Sequence, residues 1–266
     1  METASAVHVG RPTIEGAIAR YARAFDFVEV IGEPGRHPRR PGLLEWRRQV
    51  PERFVFSVVV HSSLSSFEQR PDRAELLSHS RMVADALAAD WWLVRTPPSV
   101  TPSARATREL EALIGELRDE RRIAWEPRGL WNDDDALRVA EQLNLYLVRD
   151  LAKEERKDER PIVYTRLRAL GEGARIGAAA AERVAERLAD SSDCYVIVEG
   201  SGAGRVRQVL REMAGVPQDD RAVDGDDVRV FGGEGDEDDD EDDVENTDDE
   251  DGGGSFDEDE GNLEDE

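Results

Sequence analysis

The sequence predicts a TIM-type (β/α)8 barrel followed by a disordered acidic C-terminal tail, and three observations carry that expectation. Eight short apolar runs alternate with segments of helical period. Most of these runs are continuously apolar, as suits parallel strands covered on both faces. The alternation ends near residue 216, a length close to the lower end for one such barrel.

The elements follow in order. VHVG, 7–10, is the first strand, and 13–24 is a helix with Ile14, Ala17, Ile18 and Tyr21 at helical spacing. FVEVI, 27–31, is the second strand and LLEWRRQV, 43–50, a short helix. The third strand, FVFSVVV at 54–60, is almost wholly apolar, and helix 72–89 turns Leu76, Val83 and Leu87 inward. WWLVR, 91–95, is a strand stopped by TPPS, with helix 103–120 after it. Strand five is RIAWEPR, 122–128, followed by helix 133–143, and strand six is LYLVRD, 145–150. LAKEERKDER is too short for a full crossover helix, so the barrel is expected to be irregular between strands six and seven. PIVYTRLR, 161–168, is strand seven, helix 178–189 leads to strand eight, CYVIVEG at 194–200, and Val206, Val209, Leu210 and Met213 form the stripe of a last helix.

Charge divides the chain in two. The protein carries 60 acidic and 35 basic side chains. Residues 217–266 hold 26 of the acids and two arginines, a net of −24, which leaves 1–216 at −1. A segment with so little to bury and so much like charge is expected to be disordered. Residues 1–216 are therefore read as the folded domain and 217–266 as the tail. A near-neutral body argues against strong nucleic-acid binding, which needs many phosphate contacts. One cysteine, Cys194, excludes a disulfide framework and a multi-cysteine zinc site. No apolar run reaches the length of a membrane span and the N-terminus lacks the pattern of a signal peptide, so a cytoplasmic location and no membrane partner are expected. Only Lys153 and Lys157 are lysines, and the acid-rich, lysine-poor balance is of the halophilic type.

Several of these segments together resemble the YecE-like family, also called domain of unknown function 72. VHVG, YARAFDFVEV, LLEWRRQVPERFVFSVVV, TPPS, WEPRGLW and VYTRL fall in that family's order, over residues 7–214. The resemblance implies a TIM barrel and no established reaction. The chain is a divergent member by this reading. Ile31-Gly32-Glu33-Pro34-Gly35 replaces the family's Asn-Ser-Thr-Phe-Tyr-like segment, and Arg95-Thr96-Pro97-Pro98 its Gln-Leu-Pro-Pro. Its Glu-x-Arg-His keeps Glu126 and Arg128 but has Gly129, and its Tyr-x-Arg-x-His-Gly keeps Tyr164 and Arg166 but has Arg168 and Ala169. Glu199-Gly200 stands where the family has paired asparagines.

Barrels of this type place their sites at the C-terminal ends of the strands. Those ends are Gly10-Arg11, Glu29, His61, Arg95, Glu126 with Arg128, Asp150, Arg166 with Arg168, and Glu199. Singly, each suits an ordinary ion pair, such as Glu126–Arg166 closing the core. As a ring they predict a polar site with Glu126 and Glu29 as candidate proton-transfer groups and Arg128, Arg166, Tyr164 and Trp131 as ligand contacts. Guanidinium forks match carboxylate or phosphate. EGSGAGR, 199–205, joins strand eight to the last helix. There Gly200, Gly202 and Gly204 admit close backbone approach, and Arg205 adds charge at a helix N-terminus. GEGAR, 171–175, is a second glycine-rich loop, after strand seven. No metal and no cofactor are called for. His8, His37, His61 and His79 have no paired ligand spacing, and arginines intervene among Glu29, His61, Glu126 and Glu199.

Two readings of function stand. One is a metal-independent hydrolase or lyase acting on an anionic or phosphorylated small molecule or nucleotide. The other is a catalytically degenerate binding protein whose acidic tail contacts basic partners or shields the barrel mouth. The residues specify no oligomeric state.

Overall fold

The computed structural model describes residues 6–169 and 175–215. The tail at 217–266 and most of the GEGAR loop lie outside the described residues. Eight parallel strands form one sheet in the order β6-β5-β4-β3-β2-β1-β8-β7. They are β1 Ala6–Arg11, β2 Phe27–Ile31, β3 Val55–Val59, β4 Trp91–Thr96, β5 Arg122–Pro127, β6 Tyr146–Leu147, β7 Ile162–Arg168 and β8 Asp193–Glu199. The helices are α1 Ile18–Ala24, α2 Arg40–Gln49, α3 Ser62–Ser65, α4 Arg73–Leu87, α5 Ala104–Leu117, α6 Asp133–Gln142, α7 Ala178–Leu188 and α8 Ala203–Met213. The β/α alternation curls the sheet into a TIM-type barrel with one unsealed seam, between β6 and β7.

Strand alternation sorts the apolar side chains into two cores. Phe27, Val55, Trp91, Leu93, Ala124, Tyr164, Tyr195 and Ile197 fill the barrel. Their sequence neighbours Val28, Phe56, Trp92, Trp125, Val163 and Val196 face outward and meet the helices. The continuous apolar runs of the sequence are thus two faces, each buried. Gly10 is required inside this lattice, because a Cβ there would lie 1.7 Å from the Phe27 carbonyl oxygen.

Four expectations about elements are corrected. The first helix starts at Ile18, not residue 13, because Gly16 takes φ +76° and breaks any earlier turn. The second helix starts earlier than residue 43, with Pro41 in its first turn, where a missing N–H costs nothing. A short α3, unforeseen in the sequence, follows β3, with His61 Nδ1 accepting the Ser63 N–H at 3.1 Å. Strand six pairs over Tyr146–Leu147 only, rather than 145–150.

The shortening of β6 opens the seam. Beyond Leu147, one backbone bridge, Arg149 with Thr165, and a few side-chain hydrogen bonds join the two sides. The Arg149 carbonyl accepts from the Thr165 hydroxyl at 2.7 Å and from the Arg166 N–H at 3.2 Å. Asp150 then turns the chain: one carboxylate oxygen accepts the Ala152 N–H at 3.1 Å, the other accepts the Arg168 N–H across the seam at 3.1 Å, and its carbonyl accepts the Lys153 and Glu154 N–H groups. Ten residues without a helix cover this gap.

Candidate functional site

The alternation that fills the barrel also delivers its last inward positions to one end. On β2 the inward residue after Phe27 is Glu29, on β3 after Val55 it is Ser57, and on β4 after Leu93 it is Arg95. On β5 Glu126 follows Ala124, on β7 Arg166 and Arg168 follow Tyr164, and on β8 Glu199 follows Ile197. Register sets the neighbours: Glu29 is level with Ser57, Arg95 with Glu126, and Arg168 with Glu199.

Arg166, 2% exposed, is the centre of the resulting network. Its guanidinium bonds Glu126 Oε2 at 2.8 Å and pairs with Glu29 Oε2 at 3.1 Å and Glu199 Oε1 at 2.7 Å. Its Nε–H is buried without an acceptor among the described residues. Glu126 also accepts from Arg95 Nε at 2.7 Å, and its other oxygen meets Arg168. Below, the Tyr164 hydroxyl donates to Glu29 Oε1 at 2.8 Å and contacts Ser57 Oγ at 3.1 Å. Burial and the Glu29 carboxylate hold the Tyr164 phenol well above its ordinary range, so it is a neutral donor. Burial, with Arg166 close by, holds the Arg95 guanidinium below its ordinary value. Three guanidinium groups balance three carboxylates, so this network carries no net charge.

Exposure changes sharply across the network. The side chains of Glu29, Glu126 and Arg166 are 1–3% exposed. Those of Arg95, Arg168 and Glu199 are 29%, 32% and 30% exposed, and form the layer that meets solvent. Arg128 stands exposed beyond the end of β5. Its backbone N–H bonds the Thr96 carbonyl at 3.2 Å, and its guanidinium has no ion pair among the described residues. Arg128 therefore leaves the β5 ladder at the point where the inward alternation would have continued.

The remaining candidates fall elsewhere. Trp131 is buried in the outer core, edge-on to Trp125 at 5.1 Å, with its indole N–H on the Val100 carbonyl at 2.9 Å. Arg205 is exposed on α8 and bonds Gln208 at 3.0 Å. Gly200 and Gly202 take φ +93° and +99°, and Gly202 is the N-cap of α8, with no side-chain cap. A Cβ on Gly202 would come within 2.6 Å of the Ile176 carbonyl, and the Ile176 N–H bonds the Ser201 carbonyl at 3.1 Å. The loop after β8 thus owes Gly202 to the strand-seven connection packed on it. Gly204 lies in α8 with open space where a side chain would stand. Among the described residues no group of three or more His, Cys, Asp or Glu side chains is arranged to hold a metal ion. No helix among them is long and apolar enough to cross a membrane.

The choice of site residues from sequence omitted Arg95, Arg168 and Glu199, although all three stand among the strand ends. The signal that finds them is the period of two itself: Trp91-Leu93-Arg95, Tyr164-Arg166-Arg168 and Tyr195-Ile197-Glu199 each run from the barrel interior to the mouth.

Comparison with known proteins agrees with this architecture. The family model described as "Protein of unknown function DUF72" matches residues 9–222. No curated protein matches the chain. Among solved structures, a DUF72 family protein from Enterococcus faecalis V583 superposes with a TM-score of 0.63 at 14% identity, covering 81% of this chain and 100% of that one. A DUF72 family protein from Thermotoga maritima MSB8 gives 0.60 at 17% identity, covering 79% and 99%. These likenesses show the fold, and the family match spans the three carboxylates and the three arginines of the network: the chain belongs to the DUF72 family.

Proposed function

We propose that this chain binds a small anionic molecule, a carboxylate or a phosphate ester, at the C-terminal mouth of the barrel. The observation that carries the reading is the graded exposure of the network. A rigid, fully buried Arg166 with Glu126 and Glu29 backs an outer layer of Arg95, Arg168 and Glu199 that is about a third exposed. Glu199 occupies Arg166 and Arg168 with a carboxylate of the protein's own. An incoming anion takes that place by exchange, releasing the partly exposed Glu199 carboxylate to solvent and reusing the bidentate fork geometry. Arg128 supplies an additional cation at the rim, and the uncapped amides at the start of α8 supply donors of the kind that hold phosphate.

The same geometry favours binding over hydrolysis or lyase chemistry. Both oxygens of Glu126 are engaged by guanidinium groups, and both of Glu29 by Tyr164 and Arg166. Neither has an oxygen turned to a ligand while the network stands, so they act as anchors for the arginines. Melting the protein with phosphate, citrate and AMP tests the reading. A ligand at 100 times its Kd stabilises by about 2.7 kcal/mol, a readily measured rise in Tm. Arg168→Gln is expected to abolish the rise. No shift across phosphates and carboxylates overturns the reading. Turnover in a phosphatase or lyase screen that Glu126→Gln removes would instead establish the catalytic one.

A further inference from the structure

A concave surface lies at the opposite end of the barrel from that network. It is a cavity of about 360 Å3 between the ends of α1 and α8 and the turn before β3. Four arginines line it, Arg23, Arg53, Arg207 and Arg211, against one carboxylate, Asp26. Asp26 is already satisfied: Arg211 pairs with one oxygen at 3.0 Å and the Val9 N–H bonds the other at 2.8 Å. Arg23 and Arg53 are exposed and have no ion pair or side-chain hydrogen bond among the described residues.

Two of these arginines have a structural explanation. Arg23 and Arg211 sit in the last turns of α1 and α8, where a cation complements the helix dipole. Arg53 lies on a turn, where no helix dipole accounts for it. The wall that carries Arg53 is also held in shape. Arg47 donates to the carbonyls of Phe54 at 2.8 Å and Glu52 at 3.2 Å, and to that of Pro51, while its guanidinium stands over the Phe56 ring at 5.4 Å. Phe25 and Phe54 are buried beneath, and Tyr21 lies 5.1 Å and 6.2 Å from their rings. A fixed wall, an apolar floor and converging guanidinium groups are the ordinary components of a ligand pocket of this size.

We propose that this N-terminal-face cavity is a second anion site, separate from the barrel mouth, and that it takes a small molecule bearing a diphosphate. The guanidinium groups of Arg23 and Arg53, both without an ion pair among the described residues, ask for more than one negative charge, and their forked donors match phosphate oxygens. The Phe25 and Phe54 edges give an attached apolar or planar group somewhere to lie. A volume of about 360 Å3 admits a diphosphate with such a group attached.

Calorimetric titration of the full chain with phosphate, pyrophosphate and ADP tests this. Pyrophosphate and ADP are expected to bind at least tenfold tighter than phosphate. The double variant Arg23→Gln, Arg53→Gln is expected to lose that binding tenfold or more, while Arg168→Gln at the mouth keeps it. As a control for general surface charge, Arg108→Gln with Arg183→Gln removes two exposed arginines elsewhere and should leave the affinity unchanged. Equal affinity for phosphate and pyrophosphate overturns the proposal. So does binding that survives in the Arg23, Arg53 double variant, or that falls equally in the control. Loss on Arg168→Gln alone would move the diphosphate to the mouth, overturning this site and leaving the first reading standing.

Discussion

Arg166 is the residue on which the barrel interior turns. It is almost fully buried and neutralises Glu29 and Glu126 at once. Removing one partner of a buried ion pair leaves the other desolvated and unmatched, a cost of about 3–5 kcal/mol. Arg166→Met is therefore expected to lower the free energy of unfolding by about that amount in denaturant titrations. Glu29 would suffer most, because only Tyr164 remains to it. A loss below about 1 kcal/mol would show that the network is not held as a unit. His8 gives a pH dependence. It stacks on Tyr195 at 4.9 Å in the barrel floor, and burial lowers it below its ordinary 6.5 despite Asp26, Asp193 and Asp90 nearby, with Arg211 adding to the lowering. A histidine with a lowered folded value contributes stability that is present above 6.5 and is lost as pH falls toward the folded value, because the unfolded chain takes the proton first. Unfolding midpoints at pH 7 and 5.5 should fall with pH for the native chain and fall less for His8→Gln. An equal slope in both would remove His8 as the cause. At this scale the sequence was informative about which polar residues point into the barrel, since Glu29, Glu126, Tyr164 and Arg166 all lie in the buried network. It could not show that Trp131 packs on Trp125 or that Arg205 turns along its own helix. The first depends on the path of the loop before α6 and the second on helix rotation, and strand ends encode neither.

At the level of elements, what was legible followed from period. Strands buried on both faces read as unbroken apolar runs, and seven of the eight run for five to seven residues close to where those runs predict them. The exception is instructive. LYLVRD is as apolar as its neighbours through Val148, yet regular pairing ends at Leu147: Asp150 turns the chain with its carbonyl and divides its carboxylate between the Ala152 N–H of that turn and the Arg168 N–H of β7. A sequence reports burial well and pairing poorly when a turn-forming residue stands at the strand end. The short connection between strands six and seven was legible as a missing helix. Its structural result, a seam held beyond Leu147 by one bridge and a few side-chain hydrogen bonds, depends on pairing that the apolar pattern does not encode. Helix starts were displaced for local reasons of the same kind: a positive-φ Gly16 delays α1, and Pro41 sits inside the first turn of α2 rather than before it.

Over the whole molecule the charge is as unevenly distributed as the apolar surface is regular. The folded part reads as a barrel that balances its own ion pairs, and residues 217–266 carry nearly all of the chain's net −25. The family match ends at residue 222, close to where helical periodicity ends. If the barrel draws its stability from its two apolar cores and the Arg166 network, cutting the chain after Ala222 removes none of those contacts. The truncated chain is then expected to melt within about 2 °C of the full one at moderate salt, a shift smaller than 1 kcal/mol produces in a domain of this size. What should change is colloidal behaviour. Net charge keeps copies of a protein apart over a Debye length of about 10 Å at 0.1 M salt. Residues 1–222 have a net charge of −2, so the truncated chain loses nearly all of that repulsion. Light scattering against concentration at low salt should show repulsion between full-length molecules and attraction or precipitation for 1–222. A truncated chain that melts several degrees lower would show that the acidic segment contributes to the folded state. Identical scattering from the two chains would show that the charge of 223–266 does not govern how copies meet.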